Sequence, residues 1–167
     1  TTPDHRMISV LLALLAAASM FYGNFIALLQ KDFKRLLGFS SIAHAGYALV
    51  GFGALDHAGC AAALYYTTGY LVMVLACFVV ICHVSPDGSN ISIDQLAGLH
   101  RRSPLLALTL VVGVFGLAGI PPFVGFMGKL ALLTAAFAQG HVFLVLIAVV
   151  NTAIAIYYYL AVVRAVY

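Results

Sequence analysis

The feature that most constrains this sequence is a series of long apolar stretches that are almost free of charge. Of its 167 residues, 64% are hydrophobic and 8% are charged, whereas a soluble globular domain has about 45–50% apolar and about 25% charged residues. Each stretch approaches the roughly 20 residues that a helix needs to cross a bilayer. The stretches are continuous and do not alternate with polar residues, which argues against a β-barrel. The sequence therefore predicts an all-α polytopic membrane protein.

Five membrane crossings are predicted, and the fourth is irregular. They cover residues 8–29, 35–55, 60–84, 104–137 and 142–166. The fourth stretch, with about 34 residues, is about 51 Å long as a helix and exceeds one straight crossing. Each half alone is short for a crossing. The stretch is therefore either one broken, tilted crossing or a hairpin of two short ones.

The basic residues decide between these two topologies. If the fourth stretch crosses once, six basic side chains lie on one side of the membrane and only Arg6 lies opposite. These six are Lys31, Lys34, Arg35, Arg101, Arg102 and Arg164. A hairpin would move Arg164 to the other side. The positive-inside rule favours the single broken crossing, with the start of the chain outside and the polar connection 85–103 on the cytoplasmic side.

The segment GLAGIPPFVGFMGKL, residues 116–130, places helix breakers and a cation inside an apolar stretch. Pro121 and Pro122 have no backbone N–H, so carbonyl groups before the break lose their partners. A membrane interior tolerates this only beside protein or a polar cavity. Lys129 is the only Asp, Glu, Lys or Arg between residues 104 and 163, and a centred lysine costs about 2.5–3.5 kcal/mol. We predict a helix break at Gly119, Pro121 and Pro122 beside a functional lysine; a structural kink and a snorkelling lysine are the alternatives.

The second stretch carries polar groups on one helical face. Ser40, His44, Tyr47 and Gly51 follow the spacing i, i+4, i+7 and i+11, which places them together. His44 lies near the middle of the membrane, and histidine is suited to carry protons at neutral pH. The alternative is a histidine that is hydrogen-bonded within a helix bundle.

Further candidates lie on the second and third stretches. Lys34 begins the second helix beside Arg35, where a positive-inside anchor is at least as plausible as a role in proton transfer. In YYTTGY, Tyr66 and Tyr70 are one helical turn apart, as a chain of bound waters would require. The alternative, which is the more common role of such tyrosines, is packing with the hydroxyls bonded to neighbouring helices.

On the last stretch, Asn151 and Tyr158 share a face. The run Tyr157 to Tyr159 also fits an interfacial aromatic belt.

The sequence contains no pattern typical of redox or metal chemistry. Cys60, Cys77 and Cys82 form no CxxC pair and are predicted to be small buried side chains. No glutamate is present. These observations favour transport, or the holding together of partners, over catalysis within this chain.

Two motifs resemble a known family. GNFIALLQKDFKRLLGFSSIAHAGYALVG, residues 23–51, and GIPPFVGFMGKL, residues 119–130, followed by AIYYYLAVVRAVY, resemble the antiporter-like subunits of respiratory complex I, the proton-translocating NADH:quinone oxidoreductase. Within that family, the pairing of the motifs is most similar to the N subunit. The resemblance covers about residues 8–167. It implies that residues 1–167 form one five-helix repeat, the second of two inverted repeats, with its fourth helix broken. The start TTPDHRM, without an initiator Met, agrees with a piece of a longer chain.

The resemblance also implies roles for particular residues. Lys129 matches the lysine of the second broken helix, which is part of a proton path toward the outer side. Lys34 and His44 match positions whose proton role is less secure, and the other key lysines and a glutamate belong to the first repeat. Tyr66 and Tyr70 are expected to extend the path through bound water.

The same resemblance sets expectations for cofactors, partners and location. No cofactor is expected in this chain, because NADH, FMN, Fe–S clusters and quinone would be bound by partner subunits. Expected partners are the other membrane-arm subunits, the first repeat and the lipid bilayer, and no nucleic acid is expected. The expected location is the bacterial plasma membrane, with the mitochondrial inner membrane as the second choice. A related multi-subunit cation/proton antiporter and a structural helix bundle without transport are the alternative functions.

Overall fold

The computed structural model describes residues 3–167, and that part of the chain is helical with no β-strand. Thr1 and Thr2, which begin the predicted 1–167 repeat, lie outside the described residues. The helices are α1 Pro3–Leu28, α2 Phe33–Gly53, α3 His57–Val84, α4 Leu99–Arg102, α5 Pro104–Ala118, α6 Val124–Ala138 and α7 Val142–Val166. A short 3-10 turn, Ile93–Leu96, precedes α4. This turn and α4 both lie within the connection 85–103.

Helices α1, α2, α3 and α7 are long and apolar enough to cross a membrane, whereas α5 and α6 have 15 residues each. The all-α membrane class is therefore confirmed, and so is the interruption of the fourth stretch between residues 118 and 124. Helix α7 has the predicted bounds. Helix α3 begins three residues earlier than predicted, because the Asp56 carboxylate caps it and accepts a hydrogen bond from the Gly59 N–H at 2.7 Å. The number of membrane crossings stays a prediction.

The two short helices follow one another along α3 in a single direction. Tyr66 of α3 lies against Gly128 of α6. Further along α3, Met73 lies against Gly116 of α5. A hairpin would fold α5 and α6 back onto each other, and they would then meet the same part of α3. The geometry is instead that of one line of helix, broken in the middle and antiparallel to α3.

The interior contains two apolar clusters with polar side chains between them. The first cluster lies toward the connection 85–103 and includes Phe33, Leu36, Leu110, Val114 and Val162. The second lies toward the opposite end and includes Met20, Val50, Ala63, Leu132 and Leu144. His44 makes contacts with a tyrosine from each cluster. The polar groups are therefore shielded at both ends of the helix bundle.

The connection 85–103 is tied to the start of α2. The Lys34 ammonium donates hydrogen bonds to the carbonyls of Gly88 and Ser89, at 2.6 and 2.7 Å. Within the loop, the Ser85 hydroxyl donates to the Asp87 carboxylate at 2.8 Å. This hydrogen bond, together with those from Ser89, holds the pKa of the Asp87 carboxyl below its ordinary value. The loop is thereby an ordered cap over this end of the bundle.

The cysteine prediction is wrong for two of the three residues. Cys77 is buried against α5, as expected, but Cys60 and Cys82 are exposed. Helix α3 packs against its neighbours along one side only, and these two positions face away from them. Hydropathy did not separate the two faces, because lipid-facing and buried helix surfaces are both apolar.

A close approach of α5 and α6 generates the first prediction. A Cβ atom added at Gly125 would overlap the carbonyl oxygen of Gly116, so Gly125→Ala forces the two half-helices apart. We expect a loss of about 1–3 kcal/mol, typical of overpacking, seen as a lower unfolding midpoint of the detergent-purified protein.

Gly38→Ala is the matched control for this substitution. Gly38 also lies in a helix, but nothing comes within 4 Å of a Cβ added there. Replacement by alanine should leave the midpoint unchanged or raise it slightly, because alanine is the better helix former. Equal midpoints for the two variants would contradict the close approach.

Candidate functional site

Lys129 is buried in the middle of the broken helix. Its side chain is 4% exposed, and its ammonium donates to the carbonyl oxygens of Ala118 at 3.3 Å and Leu117 at 3.5 Å. Both acceptors lie at the end of α5, where the helix dipole is negative and favours a cation. The lysine of α6 is thus held by the last turn of α5. Within residues 3–167 it has no carboxylate partner.

The two prolines explain why these carbonyls are free. In a continuous helix, the carbonyl of Leu117 would accept from the N–H of residue 121, and that of Ala118 from residue 122. Both positions are proline, which has no N–H to donate. The carbonyls that the prolines leave without backbone donors are the same two that Lys129 binds. The break and the lysine are therefore parts of one site.

Tyr47 provides a third contact for Lys129. The ammonium lies 4.7 Å from the centre of the Tyr47 ring, a distance at which the ring face attracts a cation. The Tyr47 hydroxyl in turn lies 3.0 Å from Thr152 Oγ1 and donates to the Ala148 carbonyl at 3.3 Å. Thr152 and Ala148 of α7 thereby fix the ring over the ammonium.

His44 forms the second part of the site. Its Nδ1 is hydrogen-bonded to the Tyr66 hydroxyl, and its Nε2 to the Tyr159 hydroxyl at 3.0 Å. The Tyr70 ring lies 4.7 Å from the imidazole, centre to centre. Both ring nitrogens are engaged, so a neutral imidazole here donates to one tyrosine and accepts from the other. The two tyrosines come from α3 and α7, and the histidine joins these helices to α2.

Two aromatic side chains lie between His44 and Lys129. Tyr47 follows His44 on the same face of α2 and carries the ring over Lys129. Tyr66 bonds His44 and packs against Gly128, the neighbour of Lys129. The structure therefore places Lys129, His44, Tyr66 and Tyr70 in one group, as a path through these residues requires.

Lys34 lies apart from this group. It occupies the first turn of α2, ten residues before His44, which is about 15 Å along the helix. Its ammonium is engaged with the loop carbonyls of Gly88 and Ser89. These contacts favour the anchoring interpretation over proton transfer.

Lys129 also borders a cavity of about 400 Å³ between α6 and α7. The cavity is largely apolar, and Gly119 and Pro121 of the break form part of its wall together with Thr152. At Gly119 the backbone adopts φ +78° and ends α5 in the left-handed conformation, which glycine adopts without strain. The same turn that ends α5 thus opens space beside the lysine.

A buried network between α1 and α7 was missed by the sequence analysis. The Asn24 amide donates to Asn151 Oδ1 at 3.0 Å, and the Tyr158 hydroxyl donates to Asn24 Oδ1 at 2.9 Å. Asn151 and Tyr158 share a face as predicted, but their partner Asn24 was not identified. The position of Asn24 inside the apolar first stretch was the signal that could have indicated a buried polar contact. Tyr158 and Tyr159 are buried, which contradicts an aromatic belt for these two, while Tyr157 is 71% exposed.

Taken together, these features define a class of protein. An all-helical membrane protein with a discontinuous helix beside a buried ionisable side chain has the plan that recurs in ion-transporting membrane proteins. Residues 2–155 match the family described as NADH:quinone oxidoreductase/Mrp antiporter, transmembrane region, and the chain belongs to this family.

Individual relatives agree with this assignment. The chain is 66% identical over 163 residues to NADH-quinone oxidoreductase subunit N 2 of Opitutus terrae, which covers 98% of this chain and 34% of that protein. A chain of respiratory complex I from Thermus thermophilus, solved with bound aureothin, matches with 39% identity and a TM-score of 0.85 over 93% of this chain and 35% of its own length. A chain of the Mrp complex from Dietzia sp. DQ12-45-1b matches with 27% identity and a TM-score of 0.90 over 98% of this chain and 30% of its own. The chain spans about a third of the length of these proteins.

The network around Asn24 generates a prediction about stability. Tyr158→Phe removes the donor to Asn24 Oδ1 and leaves a buried oxygen without it. We expect a destabilisation of about 1 kcal/mol, because hydrogen bonds between membrane helices are individually modest. The measurement is the unfolding midpoint in a detergent titration of the purified protein.

The neighbouring substitution Tyr157→Phe is the control, because the Tyr157 side chain points away from the bundle. It loses the same hydroxyl but should leave the midpoint unchanged. If both substitutions behave alike, the network does not hold α1 to α7.

Proposed function

We propose that this chain is part of the N subunit of a bacterial NADH-quinone oxidoreductase and contributes to proton translocation. Lys129 is the central proton carrier, and bound water joins it to His44, Tyr66 and Tyr70. The proposal is supported by the family membership of the chain and by its 66% identity with a subunit N. The chain lies in the bacterial plasma membrane, as its bacterial relatives suggest.

The observation that carries the proposal is the way Lys129 is held. A buried ammonium costs energy unless polar groups surround it, and here two carbonyls and a ring face do so. None of these groups carries a full negative charge. The lysine is therefore stabilised enough to stay in the membrane without being fixed by a carboxylate. This balance suits a group that gains and loses a proton as nearby charges change.

The chemistry of electron transfer belongs to other parts of the complex. We propose that this chain binds no cofactor and that NADH, FMN, Fe–S clusters and quinone are held by partner subunits. Residues 1–167 correspond to one five-helix repeat, with the connection 85–103 on the cytoplasmic side. The partners are the first repeat, the other membrane-arm subunits and lipid, and no nucleic acid is involved. Redox energy reaches Lys129 through changes in charge and hydration along the polar groups.

A second candidate function is that of a subunit in a multi-subunit cation/proton antiporter. The TM-score of 0.90 to a chain of an Mrp complex supports this candidate, since the folds agree closely. The sequence identity in that comparison is 27%, against 66% to a subunit N. Sequence similarity therefore favours the oxidoreductase. A purely structural bundle is disfavoured, because Lys129 is buried among polar partners and does not face lipid.

The first test of this function replaces Lys129 in the complete subunit of the assembled complex. Lys129→Ala removes the proton carrier, and we expect NADH-driven proton pumping in membrane vesicles to fall by about tenfold. Lys129→Arg keeps the cation for the carbonyls but gives up no proton, so it should pump less than wild type and more than the alanine variant.

Lys31→Ala is the matched control, because Lys31 is exposed before α2. It should pump at the wild-type rate. Wild-type pumping by Lys129→Ala, with normal assembly of the complex, would refute the role of Lys129.

A further test concerns the histidine. His44→Ala removes a group that bonds two tyrosines, and we expect a several-fold loss of pumping while the complex still assembles. His83→Ala, an exposed position on α3, provides the comparison. Ordinary pumping by His44→Ala would leave His44 with a packing role only.

A further inference from the structure

A second polar site lies at the end of the bundle opposite the connection 85–103. It is a cavity of about 380 Å³ between the start of α1, the α2–α3 connection and the α6–α7 connection. Its polar lining consists of His5, Arg6, Ser9, Asp56, Gln139 and His141. Arg6 has so far entered only the topology and Asp56 only the cap of α3, and none of these residues belongs to the lysine and histidine site.

The hydrogen bonds at this cavity determine which nitrogen of His141 carries a proton. The Ser9 hydroxyl donates its single hydrogen to the carbonyl of Gly53 at 2.9 Å. The contact of 3.1 Å between Ser9 Oγ and His141 Nε2 must therefore be a hydrogen bond from Nε2–H to the serine oxygen. A neutral His141 is then protonated on Nε2 and keeps a lone pair on Nδ1. Nδ1 makes no hydrogen bond to any residue in the described range 3–167, so it is available to accept a proton.

Helix α6 connects this cavity to the lysine site. Lys129, Leu132, Ala136 and Gln139 follow at three- and four-residue spacing and share one face. Ten residues separate Lys129 from Gln139, which corresponds to about 15 Å. Leu132 and Ala136 between them are buried. On this face of α6, two apolar residues thus separate the polar side chains of Lys129 and Gln139.

Helix α7 repeats this order, and α2 contributes one further apolar residue beside it. On α2, Tyr47 at the lysine site is followed by buried Val50. On α7, Leu144 separates Thr152, which fixes Tyr47, from His141. We call Val50, Leu132, Ala136 and Leu144 the apolar layer. All four belong to one buried cluster and offer water no hydrogen-bond partners.

We propose that this cavity is the outlet of the proton path and that His141 is its last proton acceptor. The proposal rests on the function proposed above for Lys129. When water enters the apolar layer, the Lys129 ammonium releases a proton, which passes along the water and binds His141 Nδ1. The imidazolium, with N–H on both nitrogens, then returns one proton to water in the cavity and becomes neutral again. In the arrangement described here the layer is packed, and the outlet is closed.

The charges around His141 are consistent with release of the proton to the outside. His5 and Arg6 of α1 face the cavity with positive or titratable groups. Asp56 provides the one carboxylate of the lining, and its Oδ2 accepts from the Gln139 amide at 3.0 Å. Because Asp56 also caps α3, its negative charge is already engaged. An imidazolium at His141 is therefore not held by a free carboxylate.

The test uses the complete complex in vesicles whose interior faces the outlet, with NADH added outside. His141→Gln retains a donor for Ser9 but has no titrating group. We expect its initial pumping rate to fall by about tenfold. We also expect its pumping rate to depend less on the pH of the vesicle interior than the wild-type rate does, because the proposed proton acceptor is absent. His57→Gln, exposed at the same end and outside the cavity lining, should keep the wild-type rate and pH profile.

Two results distinguish this proposal from the function of Lys129. If Lys129→Ala loses pumping while His141→Gln matches His57→Gln in rate and pH profile, the outlet proposal is wrong and the role of Lys129 stands. If Lys129→Ala pumps normally, the proposed function fails first, whatever His141→Gln does.

A substitution in the apolar layer gives an independent test. Leu132→Asn introduces a polar group between Lys129 and the cavity, so vesicles with this variant should leak protons several-fold faster in the absence of NADH. Leu146→Asn is the control, since Leu146 is exposed on α7 and lies outside the layer. Equal proton leak rates for the two variants would show that the layer is not the barrier and would overturn the proposed outlet route.

Discussion

Pro121 and Pro122 withdraw two backbone N–H groups from the end of α5, and the ammonium of Lys129 takes their place. Each half of this exchange would be unfavourable alone, because unpaired carbonyls and an unpaired cation are both costly in an apolar medium. Together they satisfy one another. The close approach of Gly125 to Gly116 lets the two half-helices come near enough for this contact. The break in the helix is therefore held together by the Lys129 side chain.

The remaining polar groups are arranged around this pair by helix packing. Helix α3 runs past both half-helices and contributes Tyr66, which touches α6 and bonds His44. Helix α7 contributes Tyr159 to the histidine and Thr152 to Tyr47. Lys129 and His44 are thus held by different side chains, and the rings of Tyr47 and Tyr66 lie between them. An apolar cluster on either side separates these groups from both ends of the bundle.

The sequence was most informative where a residue conflicts with its apolar surroundings. The prolines and Lys129 predicted the break, and helical periodicity placed Ser40, His44 and Tyr47 on one buried face. The sequence could not show which side of each helix faces the protein interior and which faces lipid, because both surroundings are apolar. For the same reason the exposure of Cys60 and Cys82 was not foreseen. Contacts between distant segments, such as that of Asn24 with α7, depend on tertiary packing that local patterns do not record.

The order of polar and apolar positions is shared by α6 and α7, and this constrains how the chain can vary in length. One residue inserted between Lys129 and Gln139 would rotate the rest of α6 by about 100°. Leu132 or Ala136 would then leave the apolar layer, and the cavity end of the helix would turn away from His141. The same holds between Thr152 and His141 on α7. The proposed outlet therefore tolerates changes in loop length but requires a constant number of residues between these points on the helices.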